Sequence, residues 1–147
     1  MDKRYKLLKD SGNRSIEEYN RNGYKMQYIT LIIDELADLL IQDKTLEQYI
    51  TRLCQLGRAS GLHLIVATQR PDSKILSGLI RANIPTRVCF AVQKATDSRI
   101  ILDMSGGEKL QGSGDGLYKP IGAKDSIRFK TPYITTDNLK KIVAMFK

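Results

Sequence analysis

The chain has 147 residues, 41% of them hydrophobic and 27% charged, the size and composition of one ordinary globular domain that needs no disulfide or metal staple to hold a core. Its longest apolar runs, Ile29 to Ile33 and Leu62 to Ala67, fall far short of the roughly 18 residues of a membrane helix, and the charged start Met1-Asp2-Lys3-Arg4 leads into no signal-peptide core. Two separated cysteines, Cys54 and Cys89, and a lone His63 argue against a zinc site and for reduced thiols in the cytoplasm, while a net charge of +8 favours a polyanionic partner.

The opening, Asp2 to Asn22, is strongly charged, and Ser11-Gly12-Asn13 interrupts its apolar residues. It reads as two short helices in a peripheral arm. After the turn Asn20 to Gly23, Tyr28 to Ile33 is a β-branched apolar run ending in Asp34-Glu35, which predicts a buried parallel strand with acids at its tip. Thr45-Leu46-Glu47-Gln48 has the form of a capping box, and helical spacing of Leu46, Tyr49, Ile50, Leu53 and Leu56 runs on to Gly61. Leu62 to Ala67 predicts a second buried strand. Asp72 or Ser73 is placed to cap a helix carrying Ile75, Leu76, Leu79 and Ile80; Pro85 ends it, and Thr86 to Val92 predicts a third strand. The β-α-β-α-β order implies right-handed crossovers and a mostly parallel sheet covered on both faces, an α/β fold. A short helix from Thr96 to Leu102, a Gly-rich loop from Ser105 to Gly116 expected to be flexible, a terminal β-pair (Leu117 to Tyr118 with Ile127 to Lys130) and a helix from Thr136 to Phe146 complete the chain. No domain boundary is visible, so 1–147 reads as a single domain.

The chemistry sits at strand tips. In open α/β sheets ligands bind beyond the carboxyl ends of the strands, and Asp34-Glu35 there suits metal-nucleotide hydrolysis, Asp34 holding Mg²⁺ through waters and Glu35 polarising an attacking water. The competing reading is an acidic N-cap for a following helix; by themselves the two acids leave both open. The next strand ends in Thr68-Gln69-Arg70-Pro71, where a glutamine amide can orient water or sense a γ-phosphate, or where the chain simply turns. His63, on an apolar strand, reads as a packed core residue.

Five segments then carry a resemblance: Leu31 to Leu39, Gly57 to Leu64, Ala67 to Pro71, Gly78 to Arg87 and Asp97 to Asp103. In order and nearly without gaps, and with the flanking residues extending over essentially the whole chain, they resemble the FtsK/SpoIIIE DNA translocases. The resemblance implies a RecA-like P-loop NTPase fold, three-layered and mostly parallel, in a ring-forming and usually hexameric ATPase that moves double-stranded DNA through its pore. Asp34 and Glu35 match that family's Walker B acid and catalytic glutamate, Gln69 its sensor, and Arg58 the arginine finger that reaches a neighbouring subunit's γ-phosphate, an interaction contributing about 10³–10⁵ in rate in well-studied NTPases. Arg70, Arg81 and Lys94 fall on or near pore-lining segments, with phosphates rather than base edges as expected partners. Read without the family, Arg58 is a cation at a helix end, and Arg81 and Lys94 are solvated charges.

The phosphate-cradling Gly-x-x-x-x-Gly-Lys-[Ser/Thr] is absent from the 147 residues. The chain is therefore expected to be the C-terminal part of such a motor, inactive alone, with ATP and Mg²⁺ as cofactors of the complete protein. The P-loop strand would lie between Leu62–Ala67 and Thr86–Val92, so those strands are expected to pair directly or to exchange between two chains, as an edge-paired or swapped dimer. Chromosome segregation and mobile-element transfer are both compatible roles. Membrane attachment, to the inner face of the cell membrane, would come only through segments outside this sequence. The alternative function is a non-catalytic DNA-binding or oligomerisation module, a remnant of such a motor.

Overall fold

A computed structural model describes residues 1–146, which divide into two compact units, the first Met1–Ile84 and the second beginning at Pro85. In the first, α1 (Asp2–Asp10) and α2 (Ile16–Arg21) precede β1 (Ile29–Ile33), α3 (Leu36–Gln42), α4 (Leu46–Leu56), β2 (Leu62–Val66) and α5 (Gly78–Asn83). Strands β1 and β2 are parallel, paired from Ile29↔Leu62 to Ile33↔Val66. Because side chains alternate along a strand, Ile33, Leu64 and Val66 meet the buried helix residues Leu36, Leu40, Ile50 and Ile80 in one core. A smaller core gathers Leu8, Ile16 and Met26 against Tyr19.

The expectation of strands buried on both faces fails here. Ile32 is 67% exposed and Ile65 54%, since α3, α4 and α5 cover only the Leu64 and Val66 face. His63, expected in the core, shares the open face and stacks on Tyr28 with ring centroids 5.6 Å apart.

Two helix starts also differ from the sequence pattern. Thr45 caps nothing with its side chain; its hydroxyl and N–H both donate to Asp43 Oδ1, at 2.7 and 2.8 Å, a local turn that competes with the capping box. Asp72 likewise accepts from Lys74 N (2.8 Å), so α5 begins only at Gly78, capped by Ser77 Oγ, which accepts from Ile80 N at 3.3 Å.

The second unit contains β3 (Arg87–Phe90), α6 (Ala95–Leu102), a 3₁₀ turn (Gly107–Lys109), β4 (Asp115–Lys119), β5 (Ile127–Lys130) and α7 (Thr136–Ala144). Here the expected pairing is overturned: β3 joins β4 and β5 in an antiparallel sheet and does not pair with β2. Periodicity specifies that a strand exists, not its neighbour. The neighbour is fixed by cross-strand fit, visible in the row Phe90↔Gly116↔Phe129. A Cβ on Gly116 would lie 2.5 Å from Phe129 Cζ, so glycine there lets Phe90 and Phe129 meet edge to face at 5.9 Å.

The Gly-rich loop, expected to be flexible, is pinned. Gly107 N donates to Ser98 Oγ (3.0 Å), Val92 N to Gly107 O (3.2 Å), and Gln111 N to Asp115 Oδ2 (2.8 Å). Asp115, 5% exposed, is gripped by Arg128 through Nε (2.9 Å) and Nη2 (2.6 Å). That bidentate pair holds its carboxyl down at about 2, with the Gln111 amide adding to it.

Candidate active site

Because β1 and β2 are parallel and end on the pair Ile33↔Val66, both strand tips leave the sheet at one rim. Two backbone bonds lock them together: Ala67 N donates to Ile33 O (2.8 Å) and Leu36 N to Ala67 O (2.9 Å). Glu35 is the extended residue that caps α3. Its Oε1 accepts from Ala37 N (3.1 Å) and from Thr68 Oγ1 (2.5 Å), and its Oε2 accepts from Gln69 N (2.8 Å). One carboxylate thus fastens the start of α3 to the tip of β2. These donors favour the charged form and hold the Glu35 carboxyl below the ordinary range, the Thr68 hydroxyl most of all, then the amides of Gln69 and Ala37, with the charge of Arg70 adding a little.

Glu35 and Gln69 therefore share a rim, with the Gln69 side chain exposed, and the N-cap geometry is realised at the same carboxylate. Asp34 is exposed, and no hydrogen bond or ion pair engages it among the described residues. No group of three ligating side chains able to hold a metal ion occurs among those residues. A single open carboxylate nonetheless fits Mg²⁺, which keeps several waters and is commonly held by one or two carboxylates plus substrate phosphates.

Arg58 is not brought to this rim. It lies in the turn from Gly57 to Gly61, which enters β2 at the opposite end, about 16 Å away for five residues at ~3.3 Å each. Residues that the sequence left in a peripheral arm hold that turn firmly. Arg4 Nε donates to Ser60 O (2.6 Å) and its Nη2 to Gln27 O (2.5 Å); Tyr5 OH donates to Leu56 O (2.5 Å), and Ile16 N to Ala59 O (2.9 Å). Gly61 turns with φ +71°, and a Cβ there would sit 2.4 Å from Ile16 Cδ1. Arg58 itself is exposed. Nearby, the Ser15 hydroxyl lowers the Glu17 carboxyl, and the charges of Arg58 and His63 contribute less.

Of the residues assigned to DNA, Arg70 is exposed beside Gln69, with its N–H donating to Thr68 Oγ1 (3.1 Å). Arg81 is half-buried on α5. Lys94 belongs to the second unit, exposed at the start of α6. Sequence reasoning passed over Thr68, Arg4 and Tyr5 as site residues. The only signal for Thr68 was a hydroxyl beside the sensor glutamine.

No helix among the described residues is long and apolar enough to cross a membrane. Residues 1–73 match the model of the FtsK/SpoIIIE family. Over 97% of its length the chain is 45% identical to the DNA translocase SpoIIIE of Bacillus subtilis, and over 100% it is 47% identical to the DNA translocase FtsK of Caldanaerobacter subterraneus. It spans about a fifth of the length of these relatives, 20% and 21%. Among solved structures, the pCW3 conjugation coupling protein TcpA, in a monomer form with ATPγS, superposes with a TM-score of 0.82 at 33% identity, over 99% of this chain and 45% of that one. The cytoplasmic domain of the Thermomonospora curvata type VII secretion ATPase EccC superposes with a TM-score of 0.80 at 25% identity, over 89% of this chain and 16% of that one. With relatives of this identity along nearly its whole length and P-loop ATPase domains as its structural neighbours, this chain belongs to the FtsK/SpoIIIE family, its α/β units forming part of a RecA-like fold.

Proposed function

We propose that the chain supplies the Walker B acids, sensor, arginine finger and pore-loop residues of an ATP-driven translocase of double-stranded DNA, its two units being parts of one motor domain. The observation that carries this reading is the shared rim of Glu35 and Gln69, where open α/β sheets take their ligands. The nucleotide with its Mg²⁺, when bound, supplies the transferable phosphoryl group and the cation that offsets its charge. With it bound, Asp34 would hold the ion through waters, Glu35 would accept a hydrogen bond from the attacking water and orient it, and the Gln69 amide would contact the terminal phosphate. Arg58, at the far end of the sheet, reaches no nucleotide at its own rim. It suits service in trans in a homo-oligomeric, hexameric ring. Arg70, Arg81 and Lys94 meet DNA phosphates irrespective of sequence.

The TcpA neighbour, solved with ATPγS, and the translocase names of the relatives support this reading. The glycine-rich phosphate loop is not among the 147 residues, so the isolated chain is expected not to hydrolyse ATP. The test is a chimera in which these residues replace the matching segment of the Bacillus subtilis translocase. Glu35→Gln should abolish DNA-stimulated hydrolysis with ATP binding retained, and wild-type turnover in that variant would remove Glu35 from catalysis. Arg58→Ala doped into wild-type rings should depress activity more than its share of subunits, whereas strictly proportional loss would leave Arg58 a helix-end cation. A chimera that binds DNA and ATP without turnover would favour the non-catalytic module.

A further inference from the structure

Glu35 has three donors, and they are not equivalent. The Ala37 N–H lies two residues along the same chain and holds the carboxylate only to its own helix. The Gln69 N–H reaches across to β2 but is backbone, indifferent to which side chain stands there. Thr68 Oγ1 is the one side-chain donor among the three. The Arg70 N–H donates into Oγ1 at 3.1 Å, and of the two acceptors in reach of the single hydroxyl hydrogen, Glu35 Oε1 at 2.5 Å is far closer than Arg70 O at 3.5 Å. A carboxylate offers about four lone-pair sites. Oε1 has two in use and Oε2 one, so among the described residues one site on Oε2 is left for a water.

We propose that Thr68 is a positioning residue for Glu35, fixing its carboxylate across the β1–β2 rim so that the unused Oε2 lone pair is presented in one orientation. Resting on the catalytic reading of Glu35, this inference goes beyond it by assigning the rotamer control to a hydroxyl on the neighbouring strand. Thr68 does not touch the reacting atoms. Without it Glu35 keeps one backbone amide on each oxygen, Ala37 on Oε1 and Gln69 on Oε2, with no side-chain donor to fix its rotamer, and a misplaced water-orienting group loses rate rather than affinity.

Two measurements test this. In the chimeric translocase, Thr68→Val should lower kcat about 10- to 100-fold, the effect of losing one hydrogen bond to a charged group, with KM for ATP within about twofold. Thr68→Ser, which keeps the hydroxyl, should restore most of the rate. In the chain as it stands, amide hydrogen exchange at Gln69 and Ala37 should speed about tenfold in Thr68→Val and stay near wild type in Thr68→Ser. Unchanged kcat in Thr68→Val, or equal damage from Thr68→Ser, would overturn the assignment, as would unchanged exchange at both amides. Glu35→Gln run in parallel separates the two claims. If it turns over normally, the catalytic reading fails; if it is dead while Thr68→Val is fully active, only the positioning role fails.

Discussion

Glu35→Gln, the variant that tests catalysis, also perturbs the fold, and the size of that perturbation follows from the geometry. An amide carries one acceptor oxygen where the carboxylate carries two. Both Glu35 oxygens accept: Oε1 from Ala37 N and Thr68 Oγ1, Oε2 from Gln69 N. If glutamine keeps its oxygen at the Oε1 position, its NH₂ faces the Gln69 N–H, two donors opposed. In the flipped orientation it faces the Ala37 N–H, and α3 loses its side-chain cap. Either way one backbone donor is orphaned and the surviving bonds lose their charge, at about 1–3 kcal/mol for the orphan and about 0.3–1 kcal/mol for the charge lost from the helix N-terminus. Glu35 is only partly buried, so water replaces some of this, and a net loss of about 1–2 kcal/mol is expected. With a urea m-value of roughly 1–3 kcal/mol/M, the unfolding midpoint of the first unit should fall by roughly 0.3–2 M. The assay is a urea titration followed through amide signals of Leu36 and Ile50, which report on that unit alone. A midpoint equal to or above wild type would show that the carboxylate does not bridge α3 to β2. Because typical stabilities are about 5–15 kcal/mol, the variant stays folded and its loss of turnover is interpretable.

Arg4→Ala removes the donors to Ser60 O and Gln27 O and should speed amide exchange in residues 57–61; Arg4→Lys should rescue poorly, since a point charge does not reproduce the fork, and full rescue by lysine would refute the clamp. The Asp115 carboxyl lies at about 2 in the folded chain, below its unfolded value. Its stabilising contribution is therefore complete above about pH 4 and lost as pH falls toward 2, so urea midpoints read from β4 and β5 signals should drop across that window and Asp115→Asn should flatten the drop. At Gly114 (φ +84°) a Cβ would meet Thr131 Oγ1 at 2.3 Å and Thr131 O at 2.8 Å, whereas at Gly112 (φ +76°) it would meet nothing within 4 Å. Gly112→Ala should then cost about 1–2 kcal/mol of left-handed strain and Gly114→Ala about 1–3 kcal/mol more; equal thermal shifts would refute the steric part.

Much of the site was legible at the level of strand tips. The β-branched run ending in Asp34-Glu35 and the run ending before Thr68-Gln69 become parallel neighbours, so placing both tips at one rim needed only that a strand–helix–strand unit makes its strands parallel. Which atoms those groups would touch was not legible. The three donors on Glu35 include two backbone amides, and backbone groups leave no trace in residue identity. The clamp on the Arg58 turn spans 56 residues from Arg4 to Ser60, a separation at which no local pattern operates.

The sequence by itself determined the α/β class, the strands and most of the helices, and the family, because periodicity, turn chemistry and motif spacing are properties of neighbouring residues; α3, present there only as the open N-cap alternative, and the late start of α5 at Gly78 were not among them. Only the tertiary structure decided which strand β3 would pair with, that one face of β1–β2 stays open, and that Glu35 caps α3 while reaching Thr68. The physical reason is the same in each case. Strand pairing, burial and side-chain hydrogen bonds are settled by competition among groups distant in the chain, and the energies that decide between partners arise only once those groups are brought together.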